Sequence, residues 1–198
     1  MIAYIDGKLA LKEPTYIIVE TNGVGYEIKI SLNTYTGLKD EERCKILTYL
    51  HVREDAQILY GFLEAAEKRM FLDLISVSGI GPNTALTVLS STSSQELQHA
   101  ILSENVKAIQ SIKGIGPKTA QRLILELKDK VKKDNLNIVS PSLLTKPSHN
   151  TLRNEALSAL VTLGIQKSVA EKSIDTILKR EGDQLSLETL IKLALKTG

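Results

Sequence analysis

The 198-residue chain carries 25 Lys and Arg against 23 Asp and Glu, and its net charge of +2 leaves no global field to draw it to nucleic acid or to an anionic membrane. Its one cysteine, Cys44, excludes an internal disulfide, and with His51, His99 and His149 scattered singly no zinc or haem site, nor any other cofactor, is expected. No apolar run approaches the roughly 20 residues of a membrane span, and Asp6, Lys8, Lys12 and Glu13 interrupt the stretch an export signal needs, so a cytoplasmic protein with no membrane partner is expected.

A chain of this size accommodates one to three domains, and its aromatic residues divide it: all six Tyr and both Phe fall between Tyr4 and Phe71. Charge divides it again, with residues 1–65 summing to −3, residues 66–140 to +3 and residues 141–198 to +2. The middle stretch is therefore the better candidate for nucleic-acid contact. Its excess is small, and Lys128, Lys130, Lys132 and Lys133 account for it at what reads as a solvated helix end.

From Met1 to Phe62 short β-type runs alternate with turn residues. Tyr16 to Val19 leads into Asn22-Gly23, after which Tyr26, Ile28 and Ile30 alternate with Glu27, Lys29 and Ser31, a period of two with one buried face. Runs over Lys45 to Val52 and Gln57 to Phe62 flank a charged corner, Arg53-Glu54-Asp55. With Ile2 to Leu11 this makes about five strands, which suits a small closed barrel of the OB type and equally an open antiparallel sheet. After Leu63 the period becomes helical: Met70, Phe71, Leu74 and Ile75 share a face, and Ser93 with Glu96 has the spacing of a capping box. Short helices are expected over 65–133. Pro141, Pro147 and the Ser and Asn residues around them read as a linker, 141–149. Three apolar stripes then follow, the first from Leu152 to Leu163 and ended by Gly164, which predict a three-helix unit over 150–198, suited to docking rather than catalysis. Leu152, Leu160, Leu163, Ile174 and Leu190 are candidates there for core or contact, with core the safer assignment.

Within the middle stretch one motif occurs twice, offset by 35 residues: Val77-Ser-Gly-Ile-Gly-Pro-Asn-Thr-Ala85 and Ile112-Lys-Gly-Ile-Gly-Pro-Lys-Thr-Ala120. Paired glycines permit positive φ and close approach of backbone, and proline in the first helical turn loses only an N–H that has no partner in any case. The remaining free amides and the helix dipole make an anion site that fits a phosphate without reading a base. A single copy would pass as a tight, ligand-free turn between helices. Two copies joined by a short helical segment can grip phosphates on both strands of one duplex. The DNA-binding set is accordingly Gly79, Ile80, Gly81, Asn83, Thr84, Gly114, Ile115, Gly116, Lys118, Thr119 and Arg122, with Ile80 and Ile115 anchoring the turns and Lys118 and Arg122 adding cations. Asn83 stands where the second copy has Lys118, which makes the first turn electrostatically weaker.

Two enzymatic readings fail. Gly-Pro-Lys118-Thr119 is not a phosphate loop, since Pro117 separates Gly116 from Lys118 and no strand precedes it. A base-excision glycosylase would need a catalytic carboxylate downstream, where Glu126 and Asp129 read as ordinary solvated positions. No catalytic residue is expected.

The twin Gly-Ile-Gly-Pro turns, the segment Val52-Arg-Glu-Asp-Ala-Gln-Ile-Leu-Tyr-Gly-Phe62, and Met1-Ile2 with Asn22-Gly-Val-Gly-Tyr26 together resemble the RuvA family of Holliday-junction-binding subunits over essentially the whole chain. The resemblance implies an α+β multidomain protein. A five-stranded OB-fold barrel (1–64) assembles four subunits, a tandem helix-hairpin-helix domain (65–140) binds the DNA arms, and a three-helix domain (150–198) binds the motor ATPase RuvB. The resolvase RuvC is the implied further partner, and whether one tetramer or two enclose the junction stays open. It also implies that Glu54 and Asp55, by sequence alone solvated turn residues, form an acidic pin where the junction strands cross. The competing class is a general OB and helix-hairpin-helix adaptor for single-stranded DNA or RNA, without junction preference or a motor.

Overall fold

The computed structural model describes residues 1–39, 42–138, 149–181 and 185–196. The chain divides into two compact units, Met1–Ser140 and Pro141–Gly198.

In the first unit, β1 (Tyr4–Lys12), β2 (Tyr16–Thr21), β3 (Val24–Ile30), β4 (Arg43–Val52) and β5 (Gln57–Phe62) close into a barrel in the order β1-β2-β3-β5-β4. Every neighbouring pair is antiparallel except β3 and β5, where Ile28 lies opposite Leu59 and Ile30 opposite Gly61 in parallel. That parallel pairing closes the sheet and removes its edges, so the open antiparallel alternative does not hold. Asn22 (φ 51°) and Gly23 (φ 81°) turn β2 into β3 with the positive φ values a two-residue hairpin requires. Ile5, Ile17, Val19, Ile28, Ile30, Ile46 and Leu59 fill the interior.

Strand β5 is buried on both faces. Leu59 points into the barrel, and at Gly61 any Cβ would meet Ile28 Cγ2 at 2.5 Å and Ile46 Cγ2 at 2.7 Å, so only glycine lets the barrel close there. Tyr60 and Phe62 alternate outward into a helical core built from Met70, Phe71, Leu74, Val88, Leu89, Leu97 and Leu123. Phe71 packs against Phe62 and Tyr60 with ring centroids 4.9 and 5.3 Å apart, and against Tyr49 at 5.6 Å. Aromatic pairs of this kind add about 1 kcal/mol each beyond the area they bury. The aromatic residues end at Phe71 because four of them form this seam between barrel and helices.

The helices that follow are α2 (Ala65–Ser76), α3 (Pro82–Ser91), α4 (Ser94–Leu102), α5 (Val106–Gln110) and α6 (Pro117–Ile138), preceded by a short α1 (Leu32–Gly37) inserted between β3 and β4. The capping box of α4 has both halves, Ser93 Oγ accepting from Glu96 N and the Glu96 side chain from Ser93 N. Helix α6 continues five residues past the expected end at Lys133, since no Gly or Pro stands between Pro117 and Pro141 to stop it. Lys128 pairs with Glu104, and Lys130 reaches Asp73 (3.9 Å) and Ser76 Oγ (3.0 Å), so two of the lysines behind the positive sum brace α6 against its neighbours.

Helix α1 was not legible in the sequence. Ser31 caps it by accepting from Thr34 N, and both hydroxyls then donate to the buried Glu67 of α2, Thr34 Oγ1 at 2.6 Å and Ser31 Oγ closer still. Burial pushes the Glu67 carboxyl up, partly opposed by these two hydrogen bonds. Because its folded pKa lies above the unfolded one, the proton it binds stabilises the fold below the ordinary Glu range, and that contribution is lost as pH rises through the folded value. Urea midpoints of Glu67→Gln relative to the native protein should therefore shift in the variant's favour from about pH 4 to about pH 7. Glu67→Leu, which strands both hydroxyls, is expected to cost about 2 kcal/mol.

The second unit comprises α7 (His149–Thr162), α8 (Lys167–Glu181) and α9 (Leu187–Lys196). Of the expected linker 141–149, all but His149, which opens α7, lies outside the described residues. Ala156, Leu160, Ala170, Ile174, Ile177, Leu190 and Ala194 form its core, whereas Leu163 is 62% exposed. Gly164 (φ +92°) ends α7, its N–H bonding Val161 O and the Ile165 N–H bonding Leu160 O. Arg153 clamps Asp175 through two parallel hydrogen bonds of 2.7 and 3.0 Å, joining α7 to α8.

Candidate nucleic-acid interface

The two repeats fold as matching corners. The first glycine of each turns with positive φ, Gly79 at +95° and Gly114 at +93°, and the next residue, Ile80 or Ile115, is buried in the core with its N–H bonded to Val77 O (3.0 Å) or Ile112 O (3.2 Å). The second glycine, Gly81 or Gly116, precedes the proline that opens α3 or α6. The helical ladders begin only at Ala85 N to Gly81 O and Ala120 N to Gly116 O, both 2.9 Å. Ahead of those first bonds stand the amides of Asn83 and Thr84 and of Lys118 and Thr119, at the positive end of each helix dipole. All four glycines are exposed, and nothing lies within 4 Å of where a Cβ on Gly81 or Gly116 would be. Ile80 and Ile115 therefore hold the corners from inside while the glycine backbones face solvent.

The corners face one another. Thr119 Oγ1 lies 3.9 Å from where a Cβ on Gly79 would sit, and Thr84 Cγ2 lies 3.6 Å from that of Gly114, so each threonine stands beside the other hairpin's first glycine. Arg122 reaches back from α6 to the Ser78 carbonyl at 3.4 Å and pairs with Glu126 at 3.8 Å. It links the hairpins rather than extending the Lys118 side chain's field. Lys118 is exposed, and so is Lys113, a cation that the motif-based set omits although it precedes Gly114 directly. Its signal was its place within the motif, where the first copy has Ser78. The Asn83 side chain instead turns toward the barrel, its Oδ1 accepting from Tyr60 Oη at 3.1 Å.

Glu54 and Asp55 sit apart from the hairpins, at the exposed corner between β4 and β5, which is closed by Arg53 N to Ala56 O at 2.8 Å. Among the described residues neither carboxylate has an ion-pair partner. Arg53, beside them, donates its Nε to His51 Nε2 at 3.1 Å. No group of His, Cys, Asp or Glu among the described residues is arranged to hold a metal, and no helix there is long and apolar enough to cross a membrane.

The profile described as RuvA N terminal domain matches residues 1–61, and that described as RuvA C-terminal domain matches 151–197. Similar full-length proteins decide the matter: one from Cytophaga hutchinsonii is 59% identical over 197 residues, covering 99% of both chains. The chain belongs to the RuvA family. Between the two terminal profiles, residues 71–129 match a SAM-like helix-hairpin-helix tandem, which contains both hairpins of this RuvA-family chain. Relatives from Amoebophilus asiaticus (50% identical, 99% of this chain and all of the relative) and Christiangramia forsetii (47%, 99% of each) carry, like the first, the name Holliday junction branch migration complex subunit RuvA. The α+β architecture implied by the family resemblance, an OB-type barrel followed by tandem hairpins and a small helical unit, is the one this RuvA-family chain adopts.

Proposed function

We propose that this chain is a non-catalytic, structure-specific DNA-binding subunit that holds a Holliday junction open and flat for branch migration. Four copies assemble through the barrel (1–64), each clamping one duplex arm with the hairpin region (65–140), so that fourfold symmetry reads the shape of the junction and not its sequence. The amides at Gly79, Gly81, Asn83, Thr84, Gly114, Gly116, Lys118 and Thr119, with the Lys118 cation, hold phosphates. The corners of Glu54 and Asp55 meet at the centre as an acidic pin and repel the crossing strands. The helical unit (150–198), joined through 141–149, recruits the ATP-hydrolysing motor RuvB in the cytoplasm, and RuvC acts on the same complex.

The observation that carries this reading is the pair of solvent-facing glycine corners, set against one another through Thr84 and Thr119, with helix-start amides that precede the first helical hydrogen bonds. A titration of the purified protein with a four-way junction, linear duplex, single-stranded DNA and RNA at one fixed salt concentration tests it, with subunit number measured by light scattering. A tetramer that prefers the junction by about 100-fold or more over duplex is expected, set beside the roughly 10³-fold or greater preference of sequence-specific sites over nonspecific DNA. Equal affinity for single strands or RNA would instead mark a general adaptor.

A further inference from the structure

The two hairpins share a backbone but differ in side chains. The second presents Lys113 and Lys118 to solvent, whereas the first has Ser78 and Asn83 at the matching positions. Both are exposed as well, but the Asn83 side chain is engaged from within the protein, its Oδ1 accepting from Tyr60 Oη, while at Ser78 it is the backbone carbonyl that accepts from Arg122. Tyr60 is 2% exposed and belongs to β5, the strand that begins directly after the Glu54-Asp55 corner. Burial raises its phenol pKa, with the Arg53 charge opposing, which keeps the hydroxyl a donor. A phenol that donates needs an acceptor, and a lysine ammonium has none, so the residue that serves hairpin two as a cation could not make this bond in hairpin one. The chain of contacts extends further, His51 packing edge-on to Tyr60 at 6.4 Å and accepting from Arg53 beside the pin.

We propose that the Asn83 side chain is a positioning residue: through Tyr60 it fixes the angle of the first hairpin on the barrel, and so on the pin, while Lys113 and Lys118 of the second hairpin supply the charge that holds phosphate. The proposal rests on the junction-binding reading above. It divides labour between two turns that look equivalent in sequence. Asn33 Nδ2 to Leu89 O (2.6 Å) and Leu32 N to Ser90 Oγ (3.1 Å) hold the far end of α3, so loss of the Tyr60 tie leaves the Asn83 backbone amide free to meet a phosphate but loosens the hairpin end of α3 relative to the crossover. Junction geometry is then penalised while a straight duplex is not.

The test is a double-mutant cycle of Tyr60→Phe and Asn83→Ala in the full-length protein, with dissociation constants for junction and linear duplex measured across a range of salt and thermal midpoints recorded alongside. Tyr60→Phe keeps the ring packed on Phe71, so the fold remains. Each single variant and the double variant should lose the same factor, about fivefold, of junction-over-duplex preference, with the salt dependence unchanged. Lys113→Gln with Lys118→Gln should weaken both substrates alike and flatten the dependence of log affinity on log salt by about 0.9 for each phosphate no longer neutralised. Additive losses in the cycle, or an Asn83→Ala loss equal on duplex and junction, would make Asn83 a direct DNA contact and overturn the positioning role. Failure of the native protein to bind either DNA would overturn the junction-binding reading itself.

Discussion

Gly81→Glu combined with Gly116→Glu is expected to abolish four-way-junction binding in a gel shift, by 100-fold or more in affinity as an order of magnitude, while subunit number and thermal midpoint stay near the native values. Both glycines have open space where a Cβ would go, and Gly81 has an ordinary extended backbone (φ −89°, ψ 169°), so the added side chains fit. A carboxylate at a helix start is favourable for the helix itself. What it removes is the site's complementarity: two like charges about 4 Å apart repel by roughly 1 kcal/mol in water and by several times that at lower effective dielectric. The neighbouring pair Gly79→Asp and Gly114→Asp is less clean, because those residues hold φ near +95° and +93° and a side chain there adds about 1–2 kcal/mol of backbone strain at each. Binding retained within threefold of native in the Gly81, Gly116 variant would remove the hairpins from the interface.

Neutralising the pin should act in the other direction, on discrimination rather than on grip. If the corner acts as the proposed pin, Glu54→Gln with Asp55→Asn is expected to raise affinity for linear duplex and to narrow the junction-over-duplex ratio by about tenfold, because the repulsion proposed to exclude a continuous duplex from the centre of the assembly would be gone. Both side chains are exposed and, among the described residues, have no ion-pair partner, so the fold is expected to be unaffected. Arg53, beside them, donates its Nε–H to His51 Nε2 at 3.1 Å. Competition binding with labelled junction and unlabelled duplex measures the ratio directly, and an unchanged ratio would leave the corner a plain solvated turn.

Much of the fold was legible because it is written in periodicity. The change from period two to helical spacing after Leu63, the Asn22-Gly23 hairpin, the capping box at Ser93 and the stop at Gly164 each rest on a local rule, and each element is present. The strand pattern by itself left barrel closure open, since closure depends on a parallel contact between β3 and β5, residues 28–30 with 59–61; the family resemblance carried that expectation instead. Helix α1 was missed because its stability comes from Glu67, more than thirty residues away in sequence, rather than from its own six residues. For the site, the motif located the corners and their buried isoleucines. The direction of each side chain followed long-range partners instead: Asn83 turns to Tyr60, Arg122 to Ser78, and Lys128 and Lys130 to the acidic groups of α2 and the turn after α4. Counting charges along the chain could not separate cations that brace helices from those left facing solvent.

The double duty of β5 bears on how such a protein can change over time. One strand closes a barrel with Leu59 and Gly61 while lending Tyr60 and Phe62 to the neighbouring helical core, so neither module owns a complete interior. A barrel excised after Leu63 would bare two large rings to water, and the helices left behind would have a hole where those rings had been. Recombination between relatives therefore has to pass on the barrel and its hairpins as one piece.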